Sequence, residues 1–190
     1  YNIFEDVLNV YNHGLPQNRE RWYCVGFRKD LNVSGFNFPE KTELSIFLED
    51  IVDEKISDHK ISDIALGHVN NNVKIFKEKQ QFQTNLLKQN KKRYTIVTEA
   101  RKTRASIRKD GISPCLTAKM GTGGNNVPII HELERKLTVK ECLKLMGYPD
   151  NYKIRDNYSQ SYKQIGNSIC VNIVDRISRE ICDNLRALEQ

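Results

Sequence analysis

The chain has 190 residues, 38% of them hydrophobic and 28% charged, and a formal net charge of +6, which excludes a disordered chain and favours a polyanionic partner. No apolar run approaches the roughly 18 residues of a transmembrane helix and no signal-peptide pattern opens the chain, so we expect a cytoplasmic protein without a membrane partner. The five cysteines are odd in number and include no CxxC pair, which argues against a disulfide framework and indicates no metal site.

The first predicted elements are two antiparallel strands, at 2–11 and 21–28, joined by the turn GLPQNRER. Gly and Pro mark the turn, and the aromatic and β-branched residues of RWYCVGF are typical of a strand. Gln17, Arg19 and Arg21 follow at every second position, so an extended chain would place their side chains on one face.

Two guanidinium groups and an amide on one face have two interpretations. The side chains could be exposed to solvent, with an arginine paired to Glu20 or another acid. Alternatively, they could form a site for an anion or a planar polar group, because guanidinium groups match phosphate and carbonyl oxygens. The spacing alone leaves both interpretations open.

The middle of the chain is less regular. Residues 44–52 have helical spacing, whereas 53–92 are polar and charge-balanced and indicate a variable insert or small domain. The stretch YTIVTEA at 94–100 predicts a strand. Residues 110–130 are rich in turn formers, and three glycines there would let the backbone approach a partner closely: Gly121, Gly123 and Gly124.

Residues 91–110 carry eight Lys or Arg against two acidic residues, an excess equal to the net charge of the whole chain. Such a run is often a solvated loop or helix face. Interleaved hydroxyl side chains could also bond phosphate oxygens. The stretch leaves nucleic-acid contact and simple solvation as alternatives.

Two helices are predicted in the last third. LTVKECLKLMGYPD carries a capping box of Thr138 and Glu141 and ends at Gly147. The closing helix is expected to start at Asn167 or Ser168, because apolar residues recur every four positions after them. A helix N-terminus can hold an anion, although these residues could merely cap the helix.

Three stretches in order carry a resemblance to a known family: GLPQNRERWYCVGFR, LTVKECLKLMGYPDNY and SYKQIGNSICVNIV. Together they resemble the C-terminal part of bacterial-type DNA cytosine-5 methyltransferases of restriction-modification systems. SPCLTAKMGTGGNNVP is similar to the DNA-reading loop of that family. The resemblance covers nearly the whole chain and is weakest at 53–92. The family's FxGxG turn, Pro-Cys-Gln loop and Glu-Asn-Val motif do not occur in the sequence.

The resemblance implies an α/β fold, the C-terminal portion of a mixed-sheet methyltransferase domain with a smaller target-recognition domain. Residues 1–40 would supply catalytic-domain strands with the Gln/Arg loop, 41–134 the target-recognition domain, and 135–190 the return to the catalytic domain with the closing helix. Since the chain begins with Tyr1 and lacks the nucleophile half, we expect a fragment, a proteolytic product or one subunit of a split enzyme. Alone it should not methylate DNA.

The implied reaction transfers a methyl group from S-adenosylmethionine to a cytosine flipped out of double-stranded DNA. By resemblance, Arg21 would reach the cytosine carbonyl oxygen, where charge develops. Arg19 would hold the DNA backbone or brace the site, and Gln17 would buttress the loop. The nucleophilic cysteine and the glutamate would lie outside this chain. Cys115 lies in the DNA-reading loop with no glutamine after it, so it is not expected to be the nucleophile.

The resemblance also implies binding surfaces. The residues expected at the DNA are Arg101, Arg104, Arg108, Thr117, Lys119, Gly121, Gly123 and Gly124. Asn167 and Ser168 would contact S-adenosylmethionine, which the missing N-terminal half would mainly bind. The expected partners are double-stranded DNA and that N-terminal half or a complementary subunit. The alternative is a non-catalytic, sequence-specific DNA-binding or specificity subunit on the same scaffold.

Overall fold

The computed structural model describes residues 1–81, 94–123, 125–154 and 157–188, and the side chains of all of these except 79–81. Its strands are β1 (Asn2–Asn9), β2 (Glu20–Phe27), β3 (Ile96–Thr98), β4 (Ser106–Arg108), β5 (Ile129–Ile130) and β6 (Arg135–Lys136). Its helices are α1 (Leu48–Ile51), α2 (Asp63–Gln81), α3 (Val139–Leu145), α4 (Tyr158–Asn167) and α5 (Val171–Ala187). A 3₁₀ segment, Ala118–Thr122, precedes β5.

The N-terminal hairpin has the two antiparallel strands that the sequence predicts. β1 and β2 pair along their whole length. From Tyr23 onward every second residue of β2 is buried, namely Tyr23, Val25 and Phe27, and α5 covers this core with Ile173 and Ile177. On the opposite face of the hairpin, apolar side chains remain exposed: Ile3, Val7 and Trp22.

A four-stranded antiparallel sheet has the order β4-β3-β5-β6. Val69 and Val73 of α2 form one cluster with Val97 and Ile129 of this sheet. The strand predicted at 94–100 is therefore confirmed as β3.

The nineteen-residue helix α2 was not predicted. A glycine and three consecutive asparagines in its first half disfavour a helix, so packing against the sheet decides the structure. The helical spacing at 44–52 yields only the single turn α1, in which Leu48 and Ile51 are buried. Residues 82–93, which include the predicted basic positions 91–93, lie outside the described residues, as does Gly124.

α3 begins and ends as predicted. Thr138 Oγ1 accepts a hydrogen bond from the Glu141 N–H at 3.2 Å, and a Glu141 carboxylate oxygen accepts one from the Thr138 N–H at 2.7 Å. Gly147 has a φ of +78°, a left-handed conformation that glycine adopts without strain. Its N–H donates to the Lys144 carbonyl at 3.0 Å, which closes the helix.

The closing helix begins later than predicted. Asn167 is the last residue of α4, which the sequence analysis missed, and Ser168 is the C-cap of α4. α5 begins at Val171, and no side chain caps it through a hydrogen bond. The predicted apolar stripe is confirmed by the buried Ile173 and Ile177, but the expected helix start at Asn167 or Ser168 is wrong.

A fully buried ion pair joins β6 to α3. The Arg135 guanidinium donates to both carboxylate oxygens of Glu141, at 2.7 and 2.9 Å, and the two residues are 1% and 2% exposed. The N–H groups of Thr138 and Asp53 also donate to this carboxylate. Burial alone would raise the pKa of Glu141, but these hydrogen bonds outweigh burial and hold the pKa below its ordinary value.

One hydrophobic core crosses the expected domain boundary between 134 and 135. It contains Leu116 and Ile130, which precede the boundary in the sequence, and Leu137 and Ile165, which follow it. The mixed α/β architecture is confirmed, while the division into three ranges stays a prediction. Within the described ranges, no helix is both long enough and apolar enough to cross a bilayer, and no group of three or more His, Cys, Asp or Glu side chains could hold a metal ion.

We predict that Glu141→Gln destabilises the folded protein by about 3–5 kcal/mol at neutral pH, since it leaves the Arg135 cation buried without a counter-charge. The pKa of Glu141 is lower in the folded than in the unfolded protein. Its contribution is therefore complete above the ordinary Glu pKa of about 4.3 and is lost as the pH falls below that value. Urea unfolding of wild type and variant from neutral pH to about pH 3 should show the difference narrowing.

Asp150→Asn is the control for this prediction. The Asp150 side chain is 82% exposed and pairs with Lys144 at the surface. Its loss should change the free energy of unfolding by less than about 0.5 kcal/mol. A pH-independent difference between wild type and Glu141→Gln would contradict the assigned role of the buried carboxylate.

Candidate functional site

The turn between β1 and β2 is fastened to a distant loop by main-chain hydrogen bonds. The N–H of Ser113 donates to the Pro16 carbonyl at 2.7 Å, and the N–H of Asn18 donates to the Ser113 carbonyl at 2.8 Å. Turn residues 14–19 and loop residues 113–117 therefore form one unit, which carries the candidate site.

Gln17 is fully buried at this junction. Its Nε2 donates to the Leu145 carbonyl at the end of α3, at 2.8 Å, and its Oε1 accepts from the Leu116 N–H at 3.2 Å. Carbonyl groups in the last turn of a helix have no partner within the helix. One amide thus supplies that partner and supports the loop from inside.

Arg19 is also buried, with 3% of its surface exposed. Its guanidinium donates to the carbonyl groups of Leu116 at 2.6 Å, Ser168 at 2.6 Å and Gly166 at 3.2 Å. Burial lowers the pKa of Arg19, although a guanidinium stays protonated in proteins. The sequence left DNA-backbone contact and bracing open. The contacts found here are those of a brace, and little of the guanidinium is exposed to a phosphate.

Arg21 is exposed, although its neighbours on the same strand face, Arg19 and Tyr23, are buried. Of these three alternating positions, only the side chain of Arg21 is exposed to solvent. Its Nη1 donates to the main-chain carbonyl of Glu20 at 2.6 Å, and its Nη2 lies 3.4 Å from Sγ of Cys115. The structure thus brings Gln17, Arg19 and Arg21 to the same pair of loop residues, 115 and 116.

Sequence reasoning missed the position of Cys115 between the two arginines. Its Sγ lies 3.4 Å from Nη1 of Arg19 and 3.4 Å from Nη2 of Arg21. Arg19 and Arg21 lie 96 and 94 positions before Cys115 in the sequence, so no local pattern reveals these contacts.

Two glycines allow α4 to lie directly on the loop backbone. A Cβ added at Gly166 would lie 2.1 Å from the carbonyl carbon of Thr117, and one added at Gly121 would lie 2.4 Å from the carbonyl oxygen of Ser159. Both distances are far below van der Waals contact, so only glycine fits. Gly121, which was expected at the DNA, packs against α4 and is half-buried.

The other loop residues that were expected at the DNA and that the structure describes face solvent. Thr117, Lys119 and Gly123 are exposed. They lie within and on either side of the 3₁₀ segment Ala118–Thr122, shortly after Cys115. A side chain of this loop also joins it to the turn between β3 and β4, because Asn125 donates to the Ala100 carbonyl at 2.9 Å. This hydrogen bond holds Asn125 beside the β3–β4 turn.

Three arginines, two in that turn and Arg108 at the end of β4, differ in how much charge they leave free. Arg101 and Arg104 are exposed, and Arg104 pairs with Glu99 at 3.8 Å through largely exposed side chains. Arg108 forms a two-point ion pair with Asp110. Its charge is therefore neutralised locally, which favours the solvation alternative for Arg108.

The link between α4 and α5 carries the residues expected at the cofactor. Asn167 is exposed and Ser168 is half-buried. The Ser168 hydroxyl donates to the Ile165 carbonyl at 2.7 Å. The N–H of Val171, the first of α5, donates to the Met146 carbonyl at 2.9 Å. That N–H is therefore not available to an anion in the way the sequence predicted.

Comparisons with known sequences agree on one family. The family model described as C-5 cytosine-specific DNA methylase matches residues 1–183. The Type II methyltransferase M.HhaI of Haemophilus parahaemolyticus is 33% identical over 190 residues, which cover 97% of this chain and 54% of that protein. The Type II methyltransferase M.Bsp6I of Bacillus sp. (strain RFL6) is 36% identical over 185 residues, which cover 95% of this chain and 55% of that protein. The chain thus spans about half the length of the curated relatives it matches.

Solved structures share the fold. The Entamoeba histolytica methyltransferase EhMeth superposes with a TM-score of 0.57 at 16% identity, over 97% of this chain and 54% of that one. The Dnmt2 methyltransferase of S. pombe superposes with a TM-score of 0.55 at 19% identity, over 100% of this chain and 58% of that one. At these identities the likeness concerns the fold alone.

We predict that Gly166→Ala destabilises the folded protein by about 1–3 kcal/mol, because a methyl group has no room against the Thr117 backbone. Gly67→Ala is the matched control, since Gly67 is also helical and nothing lies within 4 Å of an added Cβ. Alanine is the better helix former, so the control should gain up to about 1 kcal/mol. Urea midpoints of the two variants should shift in opposite directions. A neutral Gly166→Ala would show that the loop and α4 separate readily.

Proposed function

The chain belongs to the C-5 cytosine-specific DNA methylase family, and from this premise we propose that it is the C-terminal part of a site-specific DNA cytosine-5 methyltransferase. The complete protein transfers a methyl group from S-adenosylmethionine to a cytosine turned out of double-stranded DNA. The observation that carries the proposal is the exposed guanidinium of Arg21, which follows the buried Gln17 and Arg19 at every second position and shares the contact with Cys115 with Arg19.

In this proposal Arg21 contacts the carbonyl oxygen of the flipped cytosine. Addition of a nucleophile to the ring places negative charge on that oxygen, and a guanidinium donor stabilises it. Gln17 and Arg19 keep the strand start in place through buried hydrogen bonds, so little reorganisation is needed as the charge develops. The nucleophile and the acid come from the part of the protein outside this chain.

S-adenosylmethionine supplies the methyl group and is bound mainly by the part of the protein outside this chain. Asn167 and Ser168 are proposed to contact it from the link between α4 and α5. The Asn167 side chain is exposed there, and the Ser168 hydroxyl, which donates to Ile165, can still accept a hydrogen bond. This role does not depend on a helix start.

Target recognition is proposed for residues 41–134. Arg101 and Arg104 in the β3–β4 turn, with Thr117 and Lys119 in the loop, are exposed. Arginine and lysine contact phosphates, and arginine also reads guanine in the major groove. The small sheet and α2 hold the turn in place, because the Asn72 side chain donates to the Arg101 carbonyl at 2.9 Å.

The N-terminal half of the methyltransferase domain, in the same polypeptide or as a complementary subunit, is the proposed protein partner. Among the described strands, β2 pairs with β1 alone. The outer face of this hairpin exposes Ile3 at 64%, Val7 at 53% and Trp22 at 62%. A groove of about 660 Å³ also runs between β2 and α5. An open strand and an apolar face of this kind favour further pairing and burial.

We predict that Arg21→Ala lowers the single-turnover rate of methyl transfer by the complete protein about 100- to 1000-fold, because a donor at the developing charge is removed. Thermal unfolding should stay unchanged, since the side chain is exposed. Arg19→Ala should instead lower stability, because three carbonyl groups lose a buried donor. Rapid-quench transfer of a labelled methyl group and thermal unfolding separate the two effects.

Arg179→Ala is the control for this experiment, since Arg179 is exposed on α5 and pairs only with Asp175 on its own helix among the described residues. A rate within about twofold of wild type is expected for it. The same result for Arg21→Ala would refute the proposed role. Sequence-specific DNA binding without methyl transfer by the wild-type protein would favour a non-catalytic specificity subunit.

We predict that the double variant Arg101→Ala/Arg104→Ala binds DNA more weakly, with a salt dependence reduced by about one unit of slope for each phosphate that is no longer bound. If one arginine reads a base, discrimination at one position should relax by about 1–3 kcal/mol. Arg179→Ala is the control, because it removes an exposed arginine of α5 that lies outside the β3–β4 turn, and it should have a smaller effect. Salt titrations of DNA binding, followed by fluorescence anisotropy, measure both the salt dependence of the affinity and the discrimination between target sites. Unchanged affinity and site choice in the double variant would make this turn a solvated surface only.

A further inference from the structure

We propose that Cys115 is a positioning residue, which holds the Arg21 guanidinium in the orientation that the target cytosine requires; this rests on the proposed function of Arg21. The sulfur lies 3.4 Å from Nη1 of the buried Arg19 and 3.4 Å from Nη2 of the exposed Arg21. It therefore links an immobile guanidinium to one that faces solvent.

The exposed guanidinium has few other restraints. Its Nη1 donates to the main-chain carbonyl of the adjacent residue, Glu20. Within the described residues, Cys115 is the only side chain that forms a hydrogen bond with Arg21. An exposed arginine side chain otherwise samples many rotamers. Removal of the sulfur would therefore free the end of the Arg21 side chain.

Cys115 is itself well held. The next residue, Leu116, donates its N–H to Gln17 Oε1 at 3.2 Å and accepts from Arg19 Nη1 at 2.6 Å through its carbonyl. The preceding residue is Pro114, whose ring fixes the backbone φ angle. The buried Gln17 and Arg19 thus restrain Arg21 through a single half-buried thiol, that of Cys115.

The alternative is that Cys115 only fills space in the loop. A space-filling side chain would affect folding and DNA affinity whether or not Arg21 is present. A positioning side chain would affect the transfer rate, and only through Arg21. A double-mutant cycle separates the two roles.

The cycle uses the complete protein with Cys115→Ala and Arg21→Ala, singly and together, and measures single-turnover transfer and DNA affinity. Cys115→Ala should lower the rate by about fivefold, the change that removal of one ordinary hydrogen bond produces, with DNA affinity within about twofold. In the Arg21→Ala background it should have no further effect. Cys115→Ser keeps an acceptor and should restore most of the rate. Cys182→Ala, which removes an exposed cysteine on α5, is the control.

A second measurement reads the geometry without reference to activity. An anionic and a cationic methanethiosulfonate reagent are compared, and labelling at each cysteine is followed by mass spectrometry. The two guanidinium groups should favour the anionic reagent at Cys115 relative to Cys182. Arg21→Ala should reduce that preference by about twofold or more, since one nearby positive charge is removed.

The outcomes separate this inference from the proposed function. A wild-type rate for Cys115→Ala, effects that add in the double variant, or a labelling preference indifferent to Arg21 would each overturn the positioning role. All three leave the role of Arg21 intact. A wild-type rate for Arg21→Ala would overturn the proposed function itself.

Discussion

The buried guanidinium of Arg19 is the interaction on which the arrangement of the site depends. It donates to carbonyl groups at the end of α4, in the link that follows and in the loop beside Cys115. Carbonyl groups at a helix C-terminus lack intrahelical partners, and a cation there complements the helix dipole. Gln17 supplies the same kind of partner at the end of α3. One short turn therefore holds two helix ends and a loop that are 97 or more positions away in the sequence.

The strand face that begins at Arg19 is closed except at one position. Arg19 and Tyr23 are buried, and Arg21 between them is exposed. The fold thus exposes the guanidinium of Arg21 beside residues that are held by hydrogen bonds and packing. A preorganised donor of this kind stabilises a developing charge more than a mobile one, because it does not have to be ordered at the moment of reaction. The same packing thus buries Arg19 and leaves the guanidinium of Arg21 accessible.

How far the sequence predicts this structure depends on the range of the interactions. The hairpin and α3 have local signals, namely alternation and a capping box, and both were predicted. α2 was missed because its buried valines are outweighed locally by a glycine and three asparagines, and the helix is held by the sheet. α4 was missed because Gly166 resembles a turn residue, whereas its real constraint is contact with Thr117. The spacing of Gln17, Arg19 and Arg21 predicted a shared face but not which side chain is exposed, since the acceptors that bury Gln17 and Arg19 are carbonyl groups in distant segments.

The two glycines between the loop and α4 also limit how these two elements can move relative to each other. Where side chains separate two elements, rotamer changes can absorb a small displacement of one of them. Here the backbone of Thr117 lies directly on Gly166, with no compliant layer between them. Close-packed interiors transmit strain, so a displacement of the loop at Thr117 has to be met by a matching shift of the α4 backbone at Gly166.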